Sequence, residues 1–381
     1  MIYVVQAGDT LNEIAAQYQV SAESIAYDNQ IPLPYRLAIG QSLFIYTTDW
    51  NINEETDKRS VFVNGYAYPF IQEWVLQQTL PYLTDLLVFS YGFTKDGVLV
   101  PPILMDQWMI EEAKQYGVKP ILTLTPLDET GKFNNNLIHA VVNDETAKNT
   151  LIQQLLDTLA GKGFVGVDID FEYILAEDRD AFTAFVRETT QALNAAGYQV
   201  SVALAPKTSG TQQGLLYEGK DYKGLGEAAN HVLLMTYEWG YTYGPPMAVA
   251  PINKVREVVN YAVTEISPAK INLGIPNYGY DWPLPYERGK TKAKTIGNVE
   301  AVQLAVEMGA QIQFDDAAQS PFFRYEENGI AHEVWFEDVR SLSAKFNVIQ
   351  EFGLRGMGYW QIMQLFRANW LLLKDFFRID K

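Results

Sequence analysis

Apolar and polar residues alternate in short bursts along most of the chain, and between the bursts the apolar spacing lengthens. A period of two marks a strand and a period near 3.6 marks a helix. Eight strands are expected on that basis, at 61–68, 86–91, 120–126, 166–172, 200–206, 231–237, 270–276 and 356–361. Helical spacing falls mostly between them, at 105–116, 145–160, 178–195, 252–266 and 338–352. Strands that alternate with helices are typically parallel and covered by those helices. Eight such alternations predict an α/β fold, a (β/α)8 barrel with its active site at the C-terminal strand ends. The region 61–381 exceeds the roughly 250 residues typical of that barrel, so an insertion is expected. Turn-rich, strand-like pieces at 310–314, 322–325 and 333–336 place it after the seventh strand, as a small α+β subdomain over about 283–335.

A separate pattern precedes the barrel. Residues 2–5 read as a strand, Thr10 and Glu13 form a capping box, and Leu11, Ile14, Ala15 and Tyr18 keep helical spacing. Ser21 caps a second helix with Ile25 on its inner face, and after a loop at 29–41 a second strand runs over 42–46. This βααβ unit spans 1–46. The polar stretch 47–60 has little apolar periodicity and is expected to be a linker.

The fourth strand concentrates the chemistry. Val165, Val167, Ile169 and Phe171 share one face, while Gly166, Asp168, Asp170 and Glu172 share the other. Inside a barrel the second face turns three carboxylates inward, where burial and mutual repulsion make full ionisation costly. Such a cluster is usually kept for catalysis.

Composition removes other readings. A net charge of −17 opposes binding to nucleic acid or to an anionic membrane surface. Without cysteine there is no disulfide or thiolate site, which fits the cytosol and many exported bacterial proteins equally. His139, His231 and His332 are far apart, without metal-ligand spacing, so no metal or other cofactor is expected. The first residues enter a strand-like run with no basic segment and apolar stretch of signal-peptide length. Export by another route, or a trimmed signal, is the corresponding expectation, and a monomer is expected.

The strand ends gather Tyr66, Tyr91, Asp168, Asp170, Glu172, Met235, Tyr237, Glu238, Trp239, Tyr278 and Trp360 at one rim. Aromatic rings beside carboxylates suit a sugar site, since rings stack on sugar faces and carboxylates handle protons. A retaining glycosidase with two carboxylates sets them about 5 Å apart across the scissile bond. Asp170 and Glu172 instead lie on one face of one strand, roughly 7 Å along it. A substrate with a 2-acetamido group can supply the nucleophile itself.

Residues 166–172 resemble the DGxDxDxE signature of family 18 glycoside hydrolases, which are (β/α)8 enzymes with substrate-assisted mechanisms. The resemblance implies that Glu172 is the proton donor and later the base, that Asp170 orients the acetamido group, and that Asp168 shares its proton and charge. It implies that Tyr237, in Met235-Thr236-Tyr237, holds the acetamido carbonyl and that Trp360 floors the sugar subsite. Val165 replaces the signature's first aspartate, and Glu238 replaces the aspartate that usually follows the tyrosine.

The N-terminal unit resembles the LysM module through Tyr3, Val4, Val5, Gly8, Asp9, Thr10, Leu11, Ile14, Ala15, Tyr18, Asn29 and Gly40 to Leu43. That implies binding to N-acetylglucosamine polymers, peptidoglycan or chitin, through Gly8, Asp9, Thr10 and Leu11 and through Asn29, Gln30 and Ile31. The pairing, with the stretches 235–241 and 276–282, is similar to the spore-cortex-lytic N-acetylglucosaminidases of endospore-forming bacteria. The implied enzyme acts on peptidoglycan β-1,4 bonds, at the spore coat or cortex or the cell wall. A chitinase and a non-catalytic carbohydrate-binding protein of wall or coat are the alternatives.

Overall fold

The computed structural model describes residues 1–47, 58–128 and 130–381. Most of the expected linker, 48–57, lies outside the described residues. Eight parallel strands close into a barrel: β1 (Ser60–Ala67), β2 (Asp85–Phe93), β3 (Lys119–Leu124), β4 (Gly166–Ile169), β5 (Gln199–Leu204), β6 (His231–Leu234), β7 (Ile271–Pro276) and β8 (Gly356–Trp360). Each pairs with its neighbour in sequence, and β8 returns to β1 through Gly356↔Phe62 to Tyr359↔Gly65. The outer layer comprises α1 (Glu73–Thr79), α2 (Gln107–Gln115), α3 (Glu145–Lys162), α4 (Arg179–Ala195), α5 (Tyr222–Ala228), α6 (Ile252–Glu265), α7 (Val339–Glu351) and α8 (Arg367–Phe376).

Local chemistry sets where these elements stop. Asp144 caps α3 by accepting from the Ala147 amide, and Gly163 ends it with φ 83°, the left-handed conformation that glycine takes without strain. The chain then turns directly into β4. Strand β4 is shorter than its alternation suggests, ending at Ile169, and the pattern continues as extended chain through the Asp170 amide bond to the Leu124 carbonyl, 2.9 Å. The apolar face packs as its spacing requires: Phe171 stacks on Phe182 and Phe185 of α4, each at 5.7 Å between ring centres. That anchoring turns the acidic face into the barrel.

Between β7 and α7 the chain forms a five-stranded antiparallel sheet, ordered Lys294–Ile296, Gly279–Pro283, Ile330–Trp335, Ser320–Glu327 and Gln313–Asp315, with a helix over Asn298–Glu307. It begins at Gly279, four residues before the expected start near 283. Trp282 is fully buried, and Phe322 stacks on Trp335 at 4.5 Å. Tyr278, Tyr280, Trp282 and Trp335 form one apolar cluster against Tyr237 and Trp360, which fixes this subdomain as a wall of the barrel mouth.

In the N-terminal unit, strands Ile2–Val4 and Ser42–Phe44 pair antiparallel around helices Leu11–Tyr18 and Ala22–Asp28. Its core includes Val5, Leu11, Ile14, Ile25, Leu43 and Ile45, while Phe44 is buried in the barrel's apolar cluster instead. The Arg367 guanidinium lies 3.8 Å from the Tyr27 ring and donates to the Tyr27 carbonyl at 2.8 Å. The Ile312 amide donates to the Ile39 carbonyl at 2.9 Å. Gly40, at φ 82°, passes so close that a Cβ there would stand 1.8 Å from the Ile312 carbonyl oxygen.

Candidate active site

The three carboxylates descend from the barrel mouth into its interior. Asp168 is deepest, 1% exposed, and accepts hydrogen bonds from Ser201 Oγ at 2.5 Å and Tyr66 OH at 2.8 Å. Asp170 stands above it, 7% exposed, and its Oδ1 has no partner among the described residues. Glu172 opens on the cleft. Burial raises the pKa of all three. The neighbouring charges of Glu172 and Asp168 push Asp170 further, to well above the carboxylate range. Glu172 is raised by burial and by Glu238 and is held down by Lys220.

Lys220 is the counter-charge that sequence reasoning missed. It sits in the loop between β5 and α5, fully buried, and donates to the carbonyls of Phe171 at 2.5 Å and Ala203 at 2.9 Å. Burial brings its ammonium down to about 8, against the pull of Asp170, Glu172 and Asp168. Lys207 Nζ holds the loop from the other side by donating to the Lys220 carbonyl at 2.9 Å. No periodicity signals this residue, because it enters the barrel from an irregular connection.

Above the acids is a cleft of about 550 Å³. Trp360 is in its lining, edge-to-face with Phe89 at 4.9 Å, Tyr66 at 5.6 Å and Tyr68 at 6.1 Å. Met235, Tyr237, Glu238 and Trp239 line one side. Glu238 adopts φ 68° and accepts from Tyr278 and from Tyr280 at 2.9 Å. Burial raises the Glu238 pKa and these tyrosyl hydrogen bonds oppose the rise. Tyr278 therefore touches Glu238 from below rather than lining the cleft, and Tyr66 acts beneath the surface through Asp168.

Tyr91 is a correction. The pairing of β2 with β3 runs from Val88↔Leu122 to Tyr91↔Leu124, three residues against two. That bulge reverses the side-chain alternation. Phe89 takes the cleft position, while Tyr91 turns to the helices, donates to Asp106 at 2.5 Å and accepts from Lys162 at 2.8 Å. Tyr68 and Phe89 were legible as strand-end aromatics. Phe133, Tyr217 and Tyr241, also in the lining, come from loops that carry no such signal.

The N-terminal candidates divide as well. Leu11 lies in the unit's core, 3% exposed, and Ile31 is 8% exposed. The Asn29 side chain ties the second strand, donating to the Ile25 and Phe44 carbonyls and accepting from the Phe44 amide. Gln30 Oε1 accepts from the Arg367 amide at 2.7 Å. Asp9 accepts from Tyr3 OH and the Gln6 amide, both 2.7 Å, and Thr10 caps the first helix. Gly8, at φ 91°, has open space around it. Folding thus occupies Leu11 and Asn29 inside the unit, and leaves Gly8 to Thr10 as its outer turn.

Comparison with known proteins agrees with this architecture. The family described as glycosyl hydrolases family 18 matches residues 43–364, and the LysM domain matches residues 3–45. The chain is 42% identical to the cortical fragment-lytic enzyme of Bacillus subtilis (strain 168), over 100% of this chain and 99% of that protein. The crystal structure of the spore cortex-lytic enzyme SleL of Bacillus megaterium QM B1551 has a TM-score of 0.92 at 36% identity, covering 100% of this chain and 98% of that one. For SleL of Bacillus cereus the TM-score is 0.91 at 33% identity, covering 100% and 99%. With family 18 matched over its barrel and LysM over its N-terminal module, the chain belongs to the glycosyl hydrolases of family 18 and is a glycoside hydrolase carrying a LysM domain.

Proposed function

We propose that the chain is a retaining N-acetylglucosaminidase that hydrolyses β-1,4 bonds of spore-cortex peptidoglycan, with the substrate's acetamido group as nucleophile and the LysM module docking the glycan. The observation that carries this reading is the one-sided placement of the acids. Asp168, Asp170 and Glu172 follow one another on a single strand and its extension, and the only other carboxylate lining the cleft among the described residues is Glu238, held by two tyrosines. A nucleophilic carboxylate facing Glu172 across the bond, as a two-carboxylate retaining enzyme needs, is not in that lining.

Glu172, whose pKa its burial raises, gives its proton to the leaving glycosidic oxygen as the bond from that oxygen to the anomeric carbon breaks. The acetamido carbonyl oxygen closes on the anomeric carbon from the opposite face. Asp170, whose Oδ1 is unpartnered, accepts from the acetamido N–H and stabilises the positive ring, and Asp168 beneath it takes up charge through Tyr66 and Ser201. Tyr237 steadies the acetamido group while Trp360 carries the sugar face. Glu172, now a carboxylate, removes a proton from water; the water oxygen bonds to the anomeric carbon, the acetamido oxygen leaves, and the original configuration returns.

The cortex as substrate rests on the relatives, whose names describe cortical fragment-lytic and spore cortex-lytic enzymes. The test is mass spectrometry of purified spore cortex and vegetative wall after incubation with the wild type and with Glu172→Gln. Reducing N-acetylglucosamine ends from the wild type alone, released faster from cortex, are expected. Cleavage of chitin oligomers with both walls intact would make the enzyme a chitinase, and no cleavage of any of the three would make it a binding protein.

A further inference from the structure

The sheet of the inserted subdomain has two faces, and only one belongs to the cleft. On the strand Gly279–Pro283, alternation sends Tyr280 and Trp282 towards the barrel mouth, where Tyr280 meets Glu238. Asp281 takes the other face, which is shared with the helix Asn298–Glu307. That face begins as ordinary core, with the register partners Phe323 and Val334 packed against Ala301 and Ala305. One pair further along the ladder, at Tyr325 and His332, the apolar pattern stops. Asp281 is 7% exposed and both of its oxygens are used: Oδ2 accepts from Tyr325 OH at 2.7 Å and Oδ1 from His332 Nδ1 at 2.8 Å. The Tyr325 and His332 rings stack at 4.7 Å between centres.

A buried carboxylate is a costly way to join three strands, since apolar residues of similar volume often do as well or better. What this carboxylate gains is control of an imidazole. With Nδ1 held by Asp281, Nε2 is the nitrogen that His332 has left to offer, and it has no partner among the described residues. The trio lines a cavity of about 510 Å³, within the roughly 300–1,000 Å³ of small-ligand sites. The rest of the lining carries both signs of charge on separate elements. Lys294 is paired with Glu300 at 3.0 Å, while Lys292, Glu307 and Glu327 form no ion pair among the described residues. A metal is a poor fit, because no three carboxylate or imidazole groups converge to hold one among the described residues and lysines share the lining. A polyanion would meet the glutamates, and a polycation the lysines. A ligand that carries both signs within a few bonds answers both.

We propose that this cavity binds a short peptide bearing a free ammonium and free carboxylates, with His332 and Lys292 receiving a carboxylate and Glu307 and Glu327 the ammonium. It shares no lining residue with the cleft and takes none from the LysM module. Peptide stems on a glycan strand and free peptides both have this chemistry. The stems as source rest on the substrate proposed above; the binding itself does not.

The test is made on the full chain carrying Glu172→Gln, which keeps the cleft from turning over, by calorimetric titration with the tripeptide Ala-Glu-Lys and by a crystal soaked with it. One site is expected, with density beside His332. His332→Phe should weaken it at least tenfold, and Lys292→Glu, a change on an exposed side chain, at least threefold. Acetylating the amines or amidating the carboxyls of the tripeptide should each cost at least tenfold. In the active background both variants should leave hydrolysis of short soluble substrates unchanged, which also verifies folding. Wall fragments with their stems, beside the same fragments stripped by an amidase, separate the two sources: weaker binding of the stripped fragments, by a margin that His332→Phe removes, assigns the stems, and equal binding assigns a free peptide. Neither heat nor density with the tripeptide, binding that neither variant changes, or equal binding of the blocked peptides would overturn the proposal and leave the trio as a stitch between strands.

Discussion

Replacing Lys220 by methionine removes the one cation among the described residues that the carboxylates of the site feel inside the barrel, while keeping an unbranched chain of similar length. Two consequences follow from its geometry. The carbonyls of Phe171 and Ala203 lose their donor, and three buried acids lose their counter-charge. Removing one partner from a buried ionic arrangement costs about 3–5 kcal/mol. The second consequence concerns protons. At an effective dielectric of about 20 a unit charge contributes about 4 kcal/mol at 4 Å and about half of that at twice the distance. Lys220 lowers the pKa of all three acids, so its loss should lift Glu172 further above the usual carboxylate value. Glu172 is active as the protonated acid, so the alkaline limb of kcat/KM should move to higher pH, and the acid limb, set by the aspartates, should move the same way. Stability follows with its own sign. A carboxyl whose folded pKa lies above its unfolded value contributes stability that is complete below the unfolded pKa and is lost as pH rises through the folded one. Lys220→Met should therefore steepen the loss of stability on raising the pH. Urea unfolding from pH 4 to 9, beside kcat/KM over the same range, measures both. A folded variant with both limbs unmoved would refute the electrostatic role of Lys220.

Glu238→Gln should move the alkaline limb the opposite way, to lower pH, because Glu238 raises the Glu172 pKa; a pH profile beside that of Lys220→Met checks the two signs together. Glu172→Gln should reduce kcat by about 10²- to 10⁴-fold, the usual range for a lost general acid, with thermal stability maintained, as turnover and melting curves would record. Phe89→Ala should raise KM and, because the ring is buried against Tyr66, Tyr68 and Trp360, cost about 3–5 kcal/mol of stability, whereas Tyr91→Phe should cost about 1–3 kcal/mol of stability by taking the donor from Asp106 Oδ2 and leave KM unchanged. Gly40→Ala should loosen the module from the barrel, since its Cβ would collide with the Ile312 carbonyl and its φ is left-handed; limited proteolysis should cut between the two bodies faster, while hydrolysis of short soluble substrates stays the same.

The alternation of Val165 to Glu172 was sufficient, from sequence alone, to assign the acids to one face, and the recurrence of strands and helices to predict a barrel around them. Both are local periodicities, set by the side-chain geometry of each element. The capping residues Thr10 and Ser21 were readable for the same reason, since each acts on an amide three residues away. What escaped depends on pairing between distant segments. The bulge that exchanges Phe89 for Tyr91 exists only in the register of β2 against β3. Lys220 reaches the acids from a loop between β5 and α5, and Glu238 acquires its tyrosines only when the inserted sheet folds over β7. Ser42, Asn298 and Glu337 line one cavity only because the module docks there. The sequence by itself determined which faces are oily, which are acidic and where several of the helices begin, because those follow from neighbours along the chain. Only the tertiary structure decided which charge meets which acid, because burial and Coulomb energy depend on distance through space, and separation along the chain does not predict that distance.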